Sequence, residues 1–161
     1  MRKGFVQLAA FLLLLTGCQS EEPASKPPEE QTAPIQDLPN EQNGLSVAVK
    51  NVSDRELTLV IQNGRSTEFT YGRPFRIEKQ ISGSWYMIPF KENMDIFEDI
   101  GLLVSPRKQT IETVDLGRLD EPLSAGRYRI VKSFSKFSIN EQGVGVNSDG
   151  FWLAAPFKIG K

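Results

Sequence analysis

The sequence predicts an all-β domain, a sandwich of seven or eight short strands. In several runs apolar residues alternate with polar ones, which is the period of a half-buried strand. Glycine, serine, asparagine and proline separate these runs at short intervals, as residues in turns do. No stretch has the apolar period of a long helix. Two packed sheets are therefore the architecture that buries these strands.

The first two strands show the alternation most clearly. Residues 45–49 and 57–61 carry Leu, Val or Ile at every second position. Asn63-Gly64 follows directly, a pair that is typical of tight turns. Phe69 to Tyr71 begins the next strand, and Gly72 behind it suits a bend or bulge.

A β-hairpin is predicted in the middle of the chain. Residues 75–81 and 85–89 alternate on either side of Ser82-Gly83-Ser84. Residues 91–100 fit either one helical turn or an irregular loop. Strand fragments follow at 102–104 and 110–116.

Two strands close the predicted domain. Residues 127–134 form the first, with Tyr128 and Ile130 on one face, and residues 151–159 form the second. Pro156 favours an edge position or a bulge for the second strand. Asparagine, glycine and serine between them, at 138–150, predict a loop.

The segment that enters the penultimate strand gives this architecture a family likeness. Gly126, one spacer and Tyr128 resemble the tyrosine corner of immunoglobulin-like sandwiches. With the strands above, the chain from 43 to 161 resembles the bacterial immunoglobulin-like domains of Gram-positive surface lipoproteins. The resemblance implies structural roles for Gly126, Tyr128 and Trp85 and no catalytic residue. The only cysteine is Cys18, so the inter-sheet disulfide of antibody domains is missing and the core is expected to hold by packing alone.

Residues 1–17 have the organisation of a secretory signal, with Arg2 and Lys3 before an apolar run. The run ends in Leu15-Thr16-Gly17-Cys18, which resembles the lipobox of bacterial lipoproteins. The resemblance implies that Cys18 carries a diacylglyceryl anchor with palmitate-type chains and becomes the first mature residue. It places the protein on the extracytoplasmic face of the cell membrane.

Residues 18–42 are predicted to be a disordered tether behind the lipidated cysteine. They hold five prolines, six acidic residues and one basic residue, and few apolar residues. The remaining domain, 43–161, has 16 basic and 14 acidic residues. A surplus this small argues against nucleic acid as a partner, because phosphate binding needs a clustered basic face.

The chain offers little for catalysis. It has no histidine, so nucleophile systems and metal sites that use histidine are excluded. Ser-x-x-Lys occurs at 105–108 and 133–136, but outside a helix and without the companion motifs of penicillin-recognising enzymes. We therefore expect no catalytic residue, no metal and no cofactor.

Two groups of side chains leave alternatives open. An acidic cluster could act in sugar hydrolysis or hold calcium, although a solvated turn is the expected role; it comprises Glu92, Asp95, Glu98 and Asp99. Asn147, Asp149 and Gly150 lack the spacing of a calcium loop. Trp85, Tyr86 and Trp152 could form an aromatic platform, but we expect Trp85 and Trp152 to pack in the core.

These observations predict a membrane-anchored, non-catalytic module that binds a protein or envelope component. The alternative is an inhibitor or accessory factor of an extracytoplasmic protease or envelope sensor. A carboxylate-dependent enzyme acting on wall glycans is the third possibility. The ligand is not readable from the sequence.

Overall fold

A computed structural model describes residues 37–160, so Cys18, the lipobox and most of the predicted tether lie outside the described residues. The strands are β1 (Glu41–Gln42), β2 (Leu45–Val52), β3 (Glu56–Asn63), β4 (Glu68–Tyr71), β5 (Arg76–Ile81), β6 (Ser84–Met87), β7 (Leu102–Val104), β8 (Gln109–Asp115), β9 (Gly126–Ile139) and β10 (Gly145–Ile159). A 3₁₀ turn, Leu116–Arg118, follows β8.

The predicted all-β sandwich is confirmed. The strands pair antiparallel in two sheets that enclose one hydrophobic core. The described residues form ten strands rather than seven or eight, because β1 and β7 are only two and three residues long. Within 37–160, no helix has the length and apolar character needed to cross a bilayer.

The smaller sheet has the order β1-β2-β3-β8. The alternation seen in the sequence turns Leu, Val and Ile side chains of β2 and β3 into the core. The opposite face carries a row of small apolar side chains across three strands, in which Ala48 pairs with Val60 and Val60 with Ile111.

The larger sheet is built around β9. Strand β10 pairs with β9 along its whole length. The other edge of β9 takes β5 at residues 128–131 and β4 at residues 134–137, and these continue into β6 and β7. The β5–β6 hairpin is confirmed, and its turn places Ser82 and Gly83 at positive φ.

The predicted loop over 138–150 is wrong. Strand β9 runs on to Ile139 and β10 begins at Gly145, so most of this segment is a hairpin. The asparagine and glycine residues serve only its turn and a bulge: the Asn140 side chain accepts the N–H groups of Gln142 and Val144, at 3.0 and 2.9 Å. The register then shifts between Ser148 and Phe151.

Asn63-Gly64 forms a turn, as predicted. This turn connects β3 of the smaller sheet to β4 of the larger sheet and does not join two paired strands. The Asn63 side chain is fully buried and donates to the carbonyls of Thr67 and Val104, at 2.8 and 3.1 Å. Its oxygen accepts the N–H of Arg65 at 2.9 Å. These bonds carry the chain from β3 to β4 in the other sheet.

The predicted C-terminal boundary of the tether, at residue 42, is too late, because residues 39–42 belong to the folded domain. Glu41 and Gln42 form β1. The carbonyl of Asn40 accepts the N–H of Val47, and the carbonyl of Pro39 accepts the N–H of Ala154, both at 2.9 Å. Main-chain groups from residue 39 onward therefore bind to both sheets. The sequence did not predict this, because the prolines and acidic residues of this segment are typical of disorder.

The sequence predicted that the core holds by packing alone, but the core also contains a buried ion pair. Lys132 of β9 and Glu112 of β8 point into the sandwich from opposite sheets and are only 2% and 7% exposed. The Lys132 ammonium lies 2.7 Å from both carboxylate oxygens of Glu112 and 5.0 Å from the centre of the Tyr71 ring. An ion pair thus joins the two sheets.

This environment perturbs two titrating groups. Burial lowers the pKa of Lys132, and the attraction and hydrogen bond of Glu112 oppose that change. Burial, followed by the repulsion of the Glu112 carboxylate, raises the pKa of Tyr71 to about 12. Tyr71 therefore keeps its proton at neutral pH.

Candidate functional site

The outer face of the larger sheet carries a connected row of side chains, which we call the ladder: Trp85, Arg129, Glu78, Arg76 and Trp152. Strand register produces it. Glu78 stands opposite Arg129, and Trp85 opposite Gln80, so all these side chains leave the sheet on the side away from the core.

Glu78 is the centre of the ladder. Its side chain is fully buried, and its carboxylate accepts the Nε–H groups of Arg129 at 2.6 Å and of Arg76 at 2.8 Å. Charge-assisted bonds of this length are strong, and two guanidinium groups satisfy the buried carboxylate. The ladder is therefore fixed before any ligand binds.

The two tryptophans end the ladder. The Arg129 guanidinium lies 4.4 Å from the centre of the Trp85 ring, and that of Arg76 lies 4.7 Å from the Trp152 ring. Such contacts contribute about 0.5–2 kcal/mol each, depending on desolvation. Stacking holds each ring against a rigid neighbour, so both indoles are positioned.

The prediction that Trp85 and Trp152 pack in the core is wrong for both residues, because both lie on the outer face of the larger sheet. Ile77 pairs with Ile130 in the core, so the even-numbered residues of β5 face outward. Trp85 is paired with one of them, Gln80, and therefore faces outward too. Trp152 stands opposite Ser133 on the same outer face and is 46% exposed. Tyr86 is the next residue along β6, so it points to the opposite face from Trp85, and it is half-buried.

The chain enters the fold beside this ladder. The Trp85 indole N–H donates to the Asp37 carboxylate at 3.2 Å, and Arg129 lies 3.9 Å from the same oxygen. Asp37 itself is almost fully exposed, so this contact is weak. It nevertheless shows that the segment before β1 leaves from the face that bears the ladder.

An open groove of about 400 Å³ adjoins the Trp152 end of the ladder. Its lining residues are Pro74, Phe75, Arg76, Met87, Phe90, Asp95, Phe97 and Trp152. Met87 and Trp152 are 43% and 46% exposed, which is high for such large apolar side chains. The groove combines apolar walls with one cation and one carboxylate.

Residues 88–101 form one wall of this groove as an irregular loop, so the helical turn considered for 91–100 is not formed. Phe97 packs edge-on against Phe75 and Phe90, with ring centres 5.5 and 5.8 Å apart. Arg118 stacks on Phe97 at 4.4 Å and donates to the carbonyls of Met94 and Ile96, at 2.9 and 2.7 Å. These contacts hold the loop in place.

The acidic cluster lies on this loop, and all four side chains are exposed. Asp95 lines the groove, whereas Asp99 lines a separate polar depression of about 220 Å³ beside Ser133, Ser135 and Asn147. Asp149, considered with Asn147 as a cation ligand, pairs instead with Lys136 at 2.7 Å. Within the described chain, no three acidic or other metal-binding side chains are close enough to hold an ion.

The corner residues lie at the other end of β9. Tyr128 is buried, stacks on Phe157 with ring centres 5.6 Å apart, and donates its hydroxyl proton to the Ser124 carbonyl at 2.8 Å. This bond reaches back four residues along the chain, as in a tyrosine corner. A Cβ on Gly126 would lie 3.2 Å from Lys79 and 3.4 Å from the Tyr128 ring, so little space exists there for a side chain.

The two sheets and this corner define an immunoglobulin-like β-sandwich. The family model of the bacterial Ig-like domain matches residues 41–148, and the chain belongs to this family. Domains of this family are generally non-catalytic binding modules. Searches of curated proteins and of solved structures found no match to the chain.

Proposed function

We propose that this protein is a membrane-anchored extracytoplasmic lipoprotein whose Ig-like domain is a non-catalytic binding module. The lipobox-like Leu15-Thr16-Gly17-Cys18 supports the anchor, and membership of the Ig-like family supports the binding role. In this proposal Cys18 carries the lipid. No catalytic residue is assigned.

The groove beside Trp152 carries the binding proposal. Met87 and Trp152 expose apolar surface there, and aromatic, methionine and arginine side chains are enriched where proteins bind partners. Arg76 and the Phe97 contacts already hold the walls in position. Because its walls are already held in place, the groove would lose little conformational entropy on binding. Its apolar walls suit an apolar group of a protein or envelope component.

Site-specific photo-crosslinking in cells tests this proposal. A photoreactive amino acid at Met87 is expected to give a discrete adduct, and the same group at Ala48, on the outer face of the other sheet, is the control. Trp152→Ala should remove the Met87 adduct without unfolding the domain, because Trp152 is outside the core. Equal adducts at Met87 and Ala48, or none at Met87, would overturn the groove as the binding site.

The anchor has its own test. Cys18→Ser should remain an unprocessed precursor without lipid, because the modified thiol is gone. Metabolic labelling with a clickable fatty acid measures this directly. Equal label in the wild-type and variant chains would refute lipidation at Cys18.

A second candidate function is an inhibitor or accessory factor of an extracytoplasmic protease. The β9–β10 hairpin tip favours it, because Ile139 and Val144 are 69% and 57% exposed there. A projecting apolar tip can enter an enzyme cleft. A protease panel tests this: inhibition that Ile139→Ser abolishes would support it, and no inhibition of any enzyme would exclude those proteases as targets.

A further inference from the structure

Strand β8 is an edge strand of the smaller sheet, and its inward-facing charge, Glu112, is paired with Lys132. The strand pairs with β3 on one side only, and within residues 37–160 no other strand pairs with its second side. It is seven residues long, with no proline and no bulge. Edge strands of this kind bind further strands unless charge, proline or irregularity prevents it.

Every other edge strand of the described fold is short or protected. Strands β1, β6 and β7 contain two, four and three residues. Strand β10 carries Pro156 and a bulge, and Pro39 occupies its edge at Ala154. The contrast singles out β8.

The hydrogen bonds to β3 show which main-chain groups of β8 are free. Asn63 N–H donates to the Lys108 carbonyl at 2.9 Å, and Leu116 N–H donates to that of Arg55 at 2.7 Å. In an antiparallel ladder the direction alternates, so the even-numbered residues of β8 face β3. The N–H and C=O groups of the odd-numbered residues, among them Gln109, Ile111 and Thr113, point to the open side.

We propose that β8 is a homodimerisation edge at which two copies of this chain pair antiparallel about a two-fold axis through Ile111. Ile111 is then opposite Ile111 of the second copy, and Gln109 opposite Thr113. Each of these pairs can exchange both main-chain hydrogen bonds. Ile111, 55% exposed in the single chain, gains an apolar partner.

Charge favours a second copy as the occupant. Arg107 precedes the strand, Asp115 ends it, and both are exposed. Arg107 lies in the turn before β8, with a positive φ of 59°. Antiparallel pairing about Ile111 brings this turn of each copy near Asp115 of the other, at both ends of the interface. The strand is thus complementary to itself.

The inward-facing carboxylate of Glu112 also favours the register centred on Ile111. Glu112 faces the core, where Lys132 neutralises it at 2.7 Å. Pairing about Ile111 puts Glu112 opposite Thr110 of the second copy. A register centred one residue later would put the two Glu112 carboxylates opposite each other, which like-charge repulsion disfavours.

Disulfide crosslinking of the full chain in cells tests the proposal. Residues opposite each other in a hydrogen-bonded antiparallel pair have Cα atoms about 5.5 Å apart, a distance that suits a disulfide. Ile111→Cys should therefore give a covalent dimer under mild oxidation. Ala48→Cys is the matched control on an interior strand of the same sheet, and the parent chain gives the background from Cys18.

Charge reversal separates pairing from folding. In the Ile111→Cys background, Arg107→Glu alone or Asp115→Lys alone should lower the dimer about tenfold through two repulsive pairs. The combined variant should restore it, which a folding defect would not do. Failure of Ile111→Cys to exceed Ala48→Cys, absence of rescue, or an adduct with a different protein in place of the dimer would each overturn the proposal.

Discussion

Removing Lys132 alone should cost a large part of the stability of this domain. The ammonium is 2% exposed and lies 2.7 Å from both oxygens of Glu112, which is 7% exposed. Lys132→Met keeps the apolar stem but leaves a buried carboxylate without its cation. Breaking such a pair costs about 3–5 kcal/mol, while a domain of this kind has only about 5–15 kcal/mol in total.

The double variant Lys132→Met/Glu112→Leu should behave differently. It replaces both charges by apolar side chains of similar size, so neither desolvation nor an unpaired charge remains. Its stability should equal that of the wild-type chain or exceed it by about 1–4 kcal/mol. The two substitutions are therefore strongly non-additive.

Urea unfolding at neutral pH, on chains that start at Gln19, measures the four species of this cycle. The domain has no disulfide to obscure the transition, because the chain has no cysteine other than Cys18. If Lys132→Met costs less than about 1 kcal/mol, the pair behaves as an exposed one and the burial argument fails. If the double variant is as unstable as the single, the ion pair is required for packing.

Three further predictions concern single groups. Tyr128→Phe removes the bond to Ser124 and should cost about 0.5–1.5 kcal/mol in denaturant melts, with Tyr128→Ala costing about 3–5 kcal/mol; a neutral Tyr128→Phe would contradict the corner. The raised pKa of Tyr71, about 12, contributes stability that is complete below pH 10 and is lost as pH rises through 12. Between these values wild type should lose about 1.4 kcal/mol per pH unit more than Tyr71→Phe, and parallel stability profiles would refute this. Unfolding curves with and without chelator should coincide, and a loss of stability in chelator would point to a cation site near Asn147 and Asp149.

Sequence alternation predicted the sandwich well because one face of each strand lies in a core that is filled mainly by apolar residues. It also contained a signal for the buried ion pair: Lys132 shares the inward face of β9 with Tyr128, Ile130 and Phe134. The partner was not predictable in the same way, because Glu112 comes from the other sheet and only the packing of the sheets joins them.

The ladder escaped prediction for a related reason. A tryptophan in a sandwich strand usually packs in the core, and nothing local distinguishes Trp85 from that pattern. Its position follows from the pairing register of β5, β6 and β9, which places three charged residues on the outer face with it. The alternating charges Arg76 and Glu78 were the only local sign that this face is polar.

The groove, the start of the described chain at Asp37 and the β8 edge lie at different places on the domain, and their positions bear on the proposed function at a membrane. The chain enters at Asp37, beside the ladder, so the groove and the proposed tether share one side of the fold. From Cys18 to Asp37, a flexible coil would span about 25 Å and an extended polyproline form about 60 Å. With the proposed lipid on Cys18, either length would keep a bound partner close to the bilayer. Strand β8 is the edge of its sheet opposite β1, whereas the groove is lined by residues of the other sheet and of the loop 88–101. If the tether, the groove and the β8 edge act as proposed, two tethered copies that pair along β8 would present two grooves, which would raise the avidity for a partner with repeated sites.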